Sequence, residues 1–167
     1  VCLVANCDAL PKKESLVQTL RKAVPEITSI VVNYNTKKSN VILAERYETL
    51  YGSGTLEDEL CGLRFRLSPA AFYQVNHDQA EKLYEKAIAF AELTGKETVL
   101  DLYCGSGTIT LCLAKHAKNV IGVEIVSEAV EAAKKNAAEN GLTNCEFIAG
   151  DVLKVIDDIE EKPDYIV

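Results

Sequence analysis

The sequence predicts a doubly wound α/β domain, a parallel sheet with helices on its faces, preceded by a small α+β unit. Three observations predict it. From Thr98 onward, apolar strand-like runs alternate with helix-like stretches. The strand runs are apolar on both faces, as strands covered by helices on either side are. The first of them breaks into a glycine-bearing turn, Cys104-Gly105-Ser106-Gly107, before a helical pattern resumes.

From the amino terminus, VCLVA reads as a strand and KKESLVQTLRKAV as a helix whose Leu16, Leu20 and Val24 share one face, closed by Pro25. SIVVNYN and NVILAE read as strands flanking the polar turn TKKS, and LYGSGTLEDELCGLRFRLS as turns and short strands. At His77 the period changes. Ala80, Leu83, Tyr84, Ala87, Ile88 and Ala91 fall at helical spacing, with Asn76 placed to cap the helix and Gly95 to stop it. Beyond it TVLDLY, NVIGVE, CEFIAG and DYIV read as strands. TITLCLAKHA, SEAVEAAKKNAAEN and VLKVIDDI read as the helices between them. The predicted domains are 1–66 for the small unit and 67–167 for the α/β domain, which stops at its fourth strand.

Bulk properties narrow the function classes. No apolar run approaches the ~18 residues of a membrane span, and the expected location is cytoplasmic. The six cysteines are scattered and form no CxxC pair, so neither a disulfide framework nor a metal site is indicated. Residues 1–76 hold nine Lys/Arg against eight Asp/Glu, whereas the remainder carries the bulk of the net charge of −7. That balance argues against tight nonspecific binding to a polyanion but leaves room for a local basic patch. The pairs Lys12-Lys13, Arg21-Lys22 and Lys37-Lys38, with Tyr34 nearby, are such a candidate for RNA contact, the alternative being a solvated face. With Val at both ends and no methionine, the chain reads as an excised piece of something longer.

Ligands of doubly wound sheets bind beyond the carboxyl ends of the strands, where this glycine turn lies. Gly105 and Gly107 permit positive φ and close approach of a ligand, and the amides that follow can receive an anionic group. A dinucleotide fingerprint needs a third glycine where this chain has Thr110, which disfavours an NAD-dependent oxidoreductase. Glu124 ends the second strand about 20 residues past the turn, as a ribose-binding carboxylate should. Asp151 follows the third strand, where it either accepts from an adenine amino group or caps the next helix. Tyr103, at the exit of the first strand, is expected to touch the ligand. With Asp101 and no pyrophosphate fingerprint, S-adenosylmethionine fits better than NAD. His77, His116, Cys104 and Cys112 are given no chemical role.

The segments FRLSPAAFYQVN, DLYCGSGTITLCLA and VIGVE together resemble the RNA (uracil-5-)-methyltransferases, which make 5-methyluridine in ribosomal and transfer RNA. NVILAERYETLYG and DELCGLRFRLSP resemble that family's central domain leading into its catalytic domain. The resemblance implies a partial class I methyltransferase, Rossmann-like, in which Gln74 contacts the methyl donor, Tyr103 and Thr108 lie against it, and Glu124 holds its ribose. It implies an RNA partner, with ribosomal RNA preferred over transfer RNA. The implied chemistry is attack of a cysteine thiolate on the 6-carbon of uracil, methyl transfer to the 5-carbon, and proton removal by a base. The family's DPPR motif, nucleophilic cysteine and catalytic glutamate would lie beyond PDYIV, and none of the six cysteines matches the nucleophile. The chain by itself is therefore expected to bind S-adenosylmethionine weakly or not at all and to be inactive. Three alternatives stay open: a methyltransferase for protein or a small molecule, the oxidoreductase, and a noncatalytic RNA-binding module.

Overall fold

A computed structural model describes all 167 residues, which fall into two compact units, one of residues 1–56 with 68–70, the other of residues 57–67 with 71–167. In the first unit β1 (Cys2–Ala5) runs parallel to β2 (Ile30–Tyr34), and β2 runs antiparallel to β3 (Tyr47–Tyr51), giving the order β1-β2-β3. Helix α1 (Lys13–Ala23) joins β1 to β2, and its Lys13 pairs with Glu48 of β3 at 2.6 Å. Leu16 and Leu20 are half-buried as expected. Val24, however, lies past the helix end and is exposed.

The strand expected over NVILAE does not form; the third strand is Tyr47–Tyr51 instead. Side-chain amides take the hydrogen bonds a ladder would have used. Asn33 Nδ2 donates to the Ala44 carbonyl at 2.7 Å and its oxygen accepts from the Ala44 amide at 2.9 Å, while Asn35 Nδ2 donates to the carbonyls of Val41 and Ile42. Groups bonded this way are not offered to a partner strand.

In the second unit β4 (Leu56–Leu60) and β5 (Leu63–Leu67) form a two-stranded sheet about the turn Cys61-Gly62. The boundary expected at 66/67 therefore moves to 56/57. The physical reason is burial: Leu60, Leu63, Phe65 and Leu67 share a core with Ala80, Tyr84, Leu111, Val130, Ala133 and Phe147. Helix α2 (His77–Ala91) is capped by Asn76, whose side chain accepts from the Gln79 amide. It ends earlier than Gly95, at Glu92 in the left-handed conformation, because the Glu97 carboxylate organises the following turn by accepting from the amide and hydroxyl of Thr94.

The main sheet is four-stranded and parallel, in the order β8-β7-β6-β9, with β6 Thr98–Leu102, β7 Asn119–Glu124, β8 Cys145–Ala149 and β9 Tyr165–Ile166. Helices α3 (Thr108–Ala114) and α4 (Ser127–Glu139) cover one face, where Val99 and Val120 meet Leu113 and Ala117. The short α5 (Val152–Val155) and the 3-10 turn Ile156–Asp158 lie on the other, where Leu100, Ile121 and Val123 meet Val152. The central strands β6 and β7 are thus covered on both faces, while the edge strand β9 is exposed. α3 stops three residues short of the expected end because Asn144 Nδ2 takes the carbonyls of Ala114 and Ala117. Successive strands step from β6 to β7 to β8, and the chain then crosses to the far side of β6. The strand order reverses between β6 and β9, and open α/β sheets bind ligands outside the carboxyl ends of the strands at such a switch point.

Candidate functional site

At that edge β6 is followed by Tyr103, which adopts φ +68° and stands 71% exposed. Positive φ is uncommon for a residue with a Cβ and marks an imposed reversal of the chain. Cys104, buried below it, fills the space left by Gly122 of β7; a Cβ at position 122 would approach the Cys104 sulfur to 2.9 Å. Burial and the nearby Asp101 and Glu124 carboxylates push the Cys104 thiol up to about 12, which makes it a packing group and no nucleophile.

Gly105 and Gly107 both have positive φ but differ in surroundings. A Cβ on Gly107 would meet Leu111 Cδ1 at 2.9 Å and the Ala133 Cβ at 3.0 Å, whereas a Cβ on Gly105 would meet nothing within 4 Å. Gly107 lets helices α3 and α4 close over the loop. Gly105 keeps its outer side open. The Gly105 amide donates to Glu124 Oε2 at 3.1 Å, and Glu124 Oε1 accepts from the Val126 amide at 2.9 Å. One carboxylate thus joins the ends of β6 and β7 and retains lone pairs on both oxygens for a ligand's hydroxyl groups.

Below the loop, Asp101 is 3% exposed and accepts a short hydrogen bond from the hydroxyl of Thr110, itself fully buried. Burial raises the Asp101 carboxyl to about 6 against the opposing pull of the Thr110 hydrogen bond, and Glu124 adds to the rise. Thr110, which stands where a dinucleotide fingerprint has its third glycine, pins the start of α3 to the end of β6. Thr108 shares a 3.0 Å hydrogen bond with the Tyr84 hydroxyl, linking the loop to α2.

Of the predicted site residues, Tyr103, Gly105, Gly107, Thr108 and Glu124 are gathered here. Asp151 follows β8 at the same edge, where the Gly150 amide donates to the Glu124 carbonyl at 2.9 Å. The Asp151 side chain caps α5 by accepting from the Leu153 amide. Gln74 is exposed in the segment before α2 and belongs to none of these hydrogen bonds. Sequence reasoning missed Ile125 and Val126, 64% and 49% exposed just past β7. Two apolar residues directly beyond a strand's carboxyl end were the available signal. The arrangement offers a hydroxyl-accepting carboxylate between exposed aromatic and aliphatic side chains, which suits a nucleoside.

A family profile for a methyltransferase domain matches residues 93–167. Over 156 residues the chain is 51% identical to an RNA methyltransferase of Listeria innocua and 46% identical to one of Halalkalibacterium halodurans, covering 93% of this chain in each case. Over nearly all of its length the chain is similar to RNA methyltransferases. It spans about a third of the length of these curated RNA methyltransferases, 34% of each. Among solved structures, the tRNA (uracil-54, C5)-methyltransferase of Pyrococcus abyssi, in complex with S-adenosyl-L-homocysteine, matches with a TM-score of 0.76 at 27% identity, over 99% of this chain and 38% of that one. The likeness to RNA methyltransferases agrees with the parallel sheet and the position of its glycine loop.

Proposed function

We propose that this chain supplies the S-adenosylmethionine-binding part of an enzyme that methylates the 5-carbon of uridine in RNA. The observation that carries the reading is the Gly105–Glu124 hydrogen bond at the switch point, with the open side of Gly105 beside it. The bound donor supplies an electrophilic methyl group. Glu124 would accept from its ribose hydroxyls, Tyr103 and Ile125 would pack against it, Asp151 would accept from the adenine amino group, and Gln74, with one donor and one acceptor end, would meet its amino-acid end. Support for uracil comes from the FYQVN and DLYCGSGT segments and from the named activity of the Pyrococcus abyssi protein.

The covalent step of such a reaction needs a thiolate, and the cysteines inside this domain are poorly suited to give one. Burial pushes Cys145 up to about 11 and raises Cys112 and Cys61 as well. Ribosomal RNA is the proposed substrate. Deleting the gene that encodes this chain and analysing nucleosides by mass spectrometry tests the proposal. Loss of 5-methyluridine from ribosomal RNA, restored by complementation, is expected. Loss from transfer RNA alone would move the substrate, and unchanged 5-methyluridine in both would overturn the reading.

A further inference from the structure

Helix α4 and the residue that ends it present two asparagines one turn apart, Asn136 and Asn140, to strand β5. Asn140 spends its side chain on β5 and on its own helix: its oxygen accepts from the Arg64 amide at 2.9 Å, and its Nδ2 donates to the Arg64 carbonyl at 2.6 Å and to the Asn136 carbonyl at 2.8 Å. Asn136, fully buried, divides its side chain instead. Its oxygen accepts from the Arg66 amide at 2.9 Å, and its Nδ2 donates to the Ser106 carbonyl at 3.2 Å. Ser106 sits between the two loop glycines, and its own hydroxyl is buried without a partner. The bond from Asn136 is therefore the one that a side chain makes to this residue.

We infer that Asn136 is a positioning residue for the methyl donor, holding the Gly105–Gly107 loop in register with the β4–β5 hairpin; this rests on the reading of that loop as the donor cradle. The amide orientation is fixed by its neighbours, since a flip would set oxygen against the Ser106 carbonyl and N–H against the Arg66 amide. The site asks for one donor and one acceptor on opposite sides of a short planar group. Aspartate lacks the donor, glutamine is longer by a methylene, and alanine has neither. Other side chains also hold this hairpin: Glu81 accepts from the Cys61 amide at 2.8 Å, Lys115 donates to the Cys61 carbonyl at 2.9 Å, His77 Nε2 lies 2.6 Å from the Glu59 carbonyl, Tyr73 donates to Asp58 at 2.8 Å, and Glu139 accepts from Arg66 at 2.9 Å. Hairpin docking is thus shared among several groups, whereas the link from hairpin to loop runs through Asn136.

The test compares Asn136→Asp, which keeps the acceptor for Arg66 and loses the donor to Ser106, with Asn140→Asp, which loses the donor to the carbonyls of Arg64 and Asn136 and leaves the bond to Ser106 in place. Amide hydrogen exchange needs no ligand. Asn136→Asp is expected to speed exchange at Gly107 and Leu111 by about tenfold while the amides of Arg64 and Arg66 keep their protection, and Asn140→Asp should leave the loop unchanged. S-adenosylhomocysteine binding should weaken about tenfold in the first variant and less than twofold in the second. Equal effects of the two variants on the loop would overturn the inference. If the unaltered chain binds no S-adenosylhomocysteine, the exchange comparison alone decides whether Asn136 positions the loop. Should Asn136→Asp not fold, the unaltered chain decides by NMR. The Asn136 side-chain amide should shift on ligand addition and Asn140 should not; a shifting Gly105 beside an unmoved Asn136 would contradict the inference.

Discussion

Replacing Gly107 with alanine separates the two glycines of the loop by their surroundings. A Cβ residue held at the φ of +83° found at Gly107 costs about 1–2 kcal/mol, and fitting a methyl group 3.0 Å from the Ala133 Cβ adds about 1–3 kcal/mol of overpacking. Leu111 Cδ1 can swing aside, but Ala133 is carried on the backbone of α4 and cannot. The total is about 3 kcal/mol. Gly105→Ala incurs the conformational part alone, about 1 kcal/mol, because its Cβ meets nothing. For a chain of this size each kcal/mol moves the midpoint of thermal unfolding by about 2–4 °C, so Gly107→Ala should melt about 6–12 °C below the unaltered chain and Gly105→Ala about 2–4 °C below. Circular dichroism melts of the three proteins read this directly. Indistinguishable melting of the two variants would refute the packing role given to Gly107.

Asp101→Asn tests the buried carboxyl. The folded chain keeps that proton up to about pH 6, whereas an unfolded aspartate releases it near 4, so the folded state binds more protons between these values and loses stability as pH rises through them. The cost is absent below pH 4 and reaches about 3 kcal/mol at most above pH 6; Asp101→Asn should therefore gain stability over the unaltered chain at pH 7 and little at pH 4. Urea midpoints at the two pH values check this, and a larger gain at pH 4 would reverse the assignment. Iodoacetamide at pH 8, followed by peptide mass spectrometry, should label exposed Cys2 and spare buried Cys104 and Cys112; rapid labelling of Cys104 would mean that the loop opens. Asn76→Ala should cost about 1 kcal/mol by removing the cap of α2, read from denaturant midpoints, and no loss would show that the cap is replaced.

The parallel sheet and its glycine loop were legible because their signals are local: runs apolar on both faces and a turn that only glycine adopts cheaply. The place of Glu124 at the end of β7 was legible from its strand-like run, and the Asn76 cap from its position before a change of period. The NVILAE stretch was misread because its composition matches a strand while its hydrogen bonds go to Asn33 and Asn35, partners that a pattern search does not see. The hairpin's place with the second unit depends on Phe65 and its neighbours meeting three helices distant in sequence. Thr110 told against a dinucleotide in the sequence, but its bond to Asp101 is a contact of folded elements. Nothing in the sequence distinguishes Asn136 from the other polar residues of SEAVEAAKKNAAEN. Its partners, Arg66 and Ser106, lie 70 and 30 residues away.

The most direct measurement for the donor site is an NMR titration of the isotopically labelled chain with S-adenosylhomocysteine into the millimolar range, with NAD as the parallel ligand. Saturable shifts are predicted at Tyr103, Gly105, Thr108, Glu124, Ile125 and Asp151, extending to Gln74, with NAD giving none. Shifts scattered away from the carboxyl ends of β6 and β7, or an equal response to NAD, would contradict a methyl-donor site at this loop.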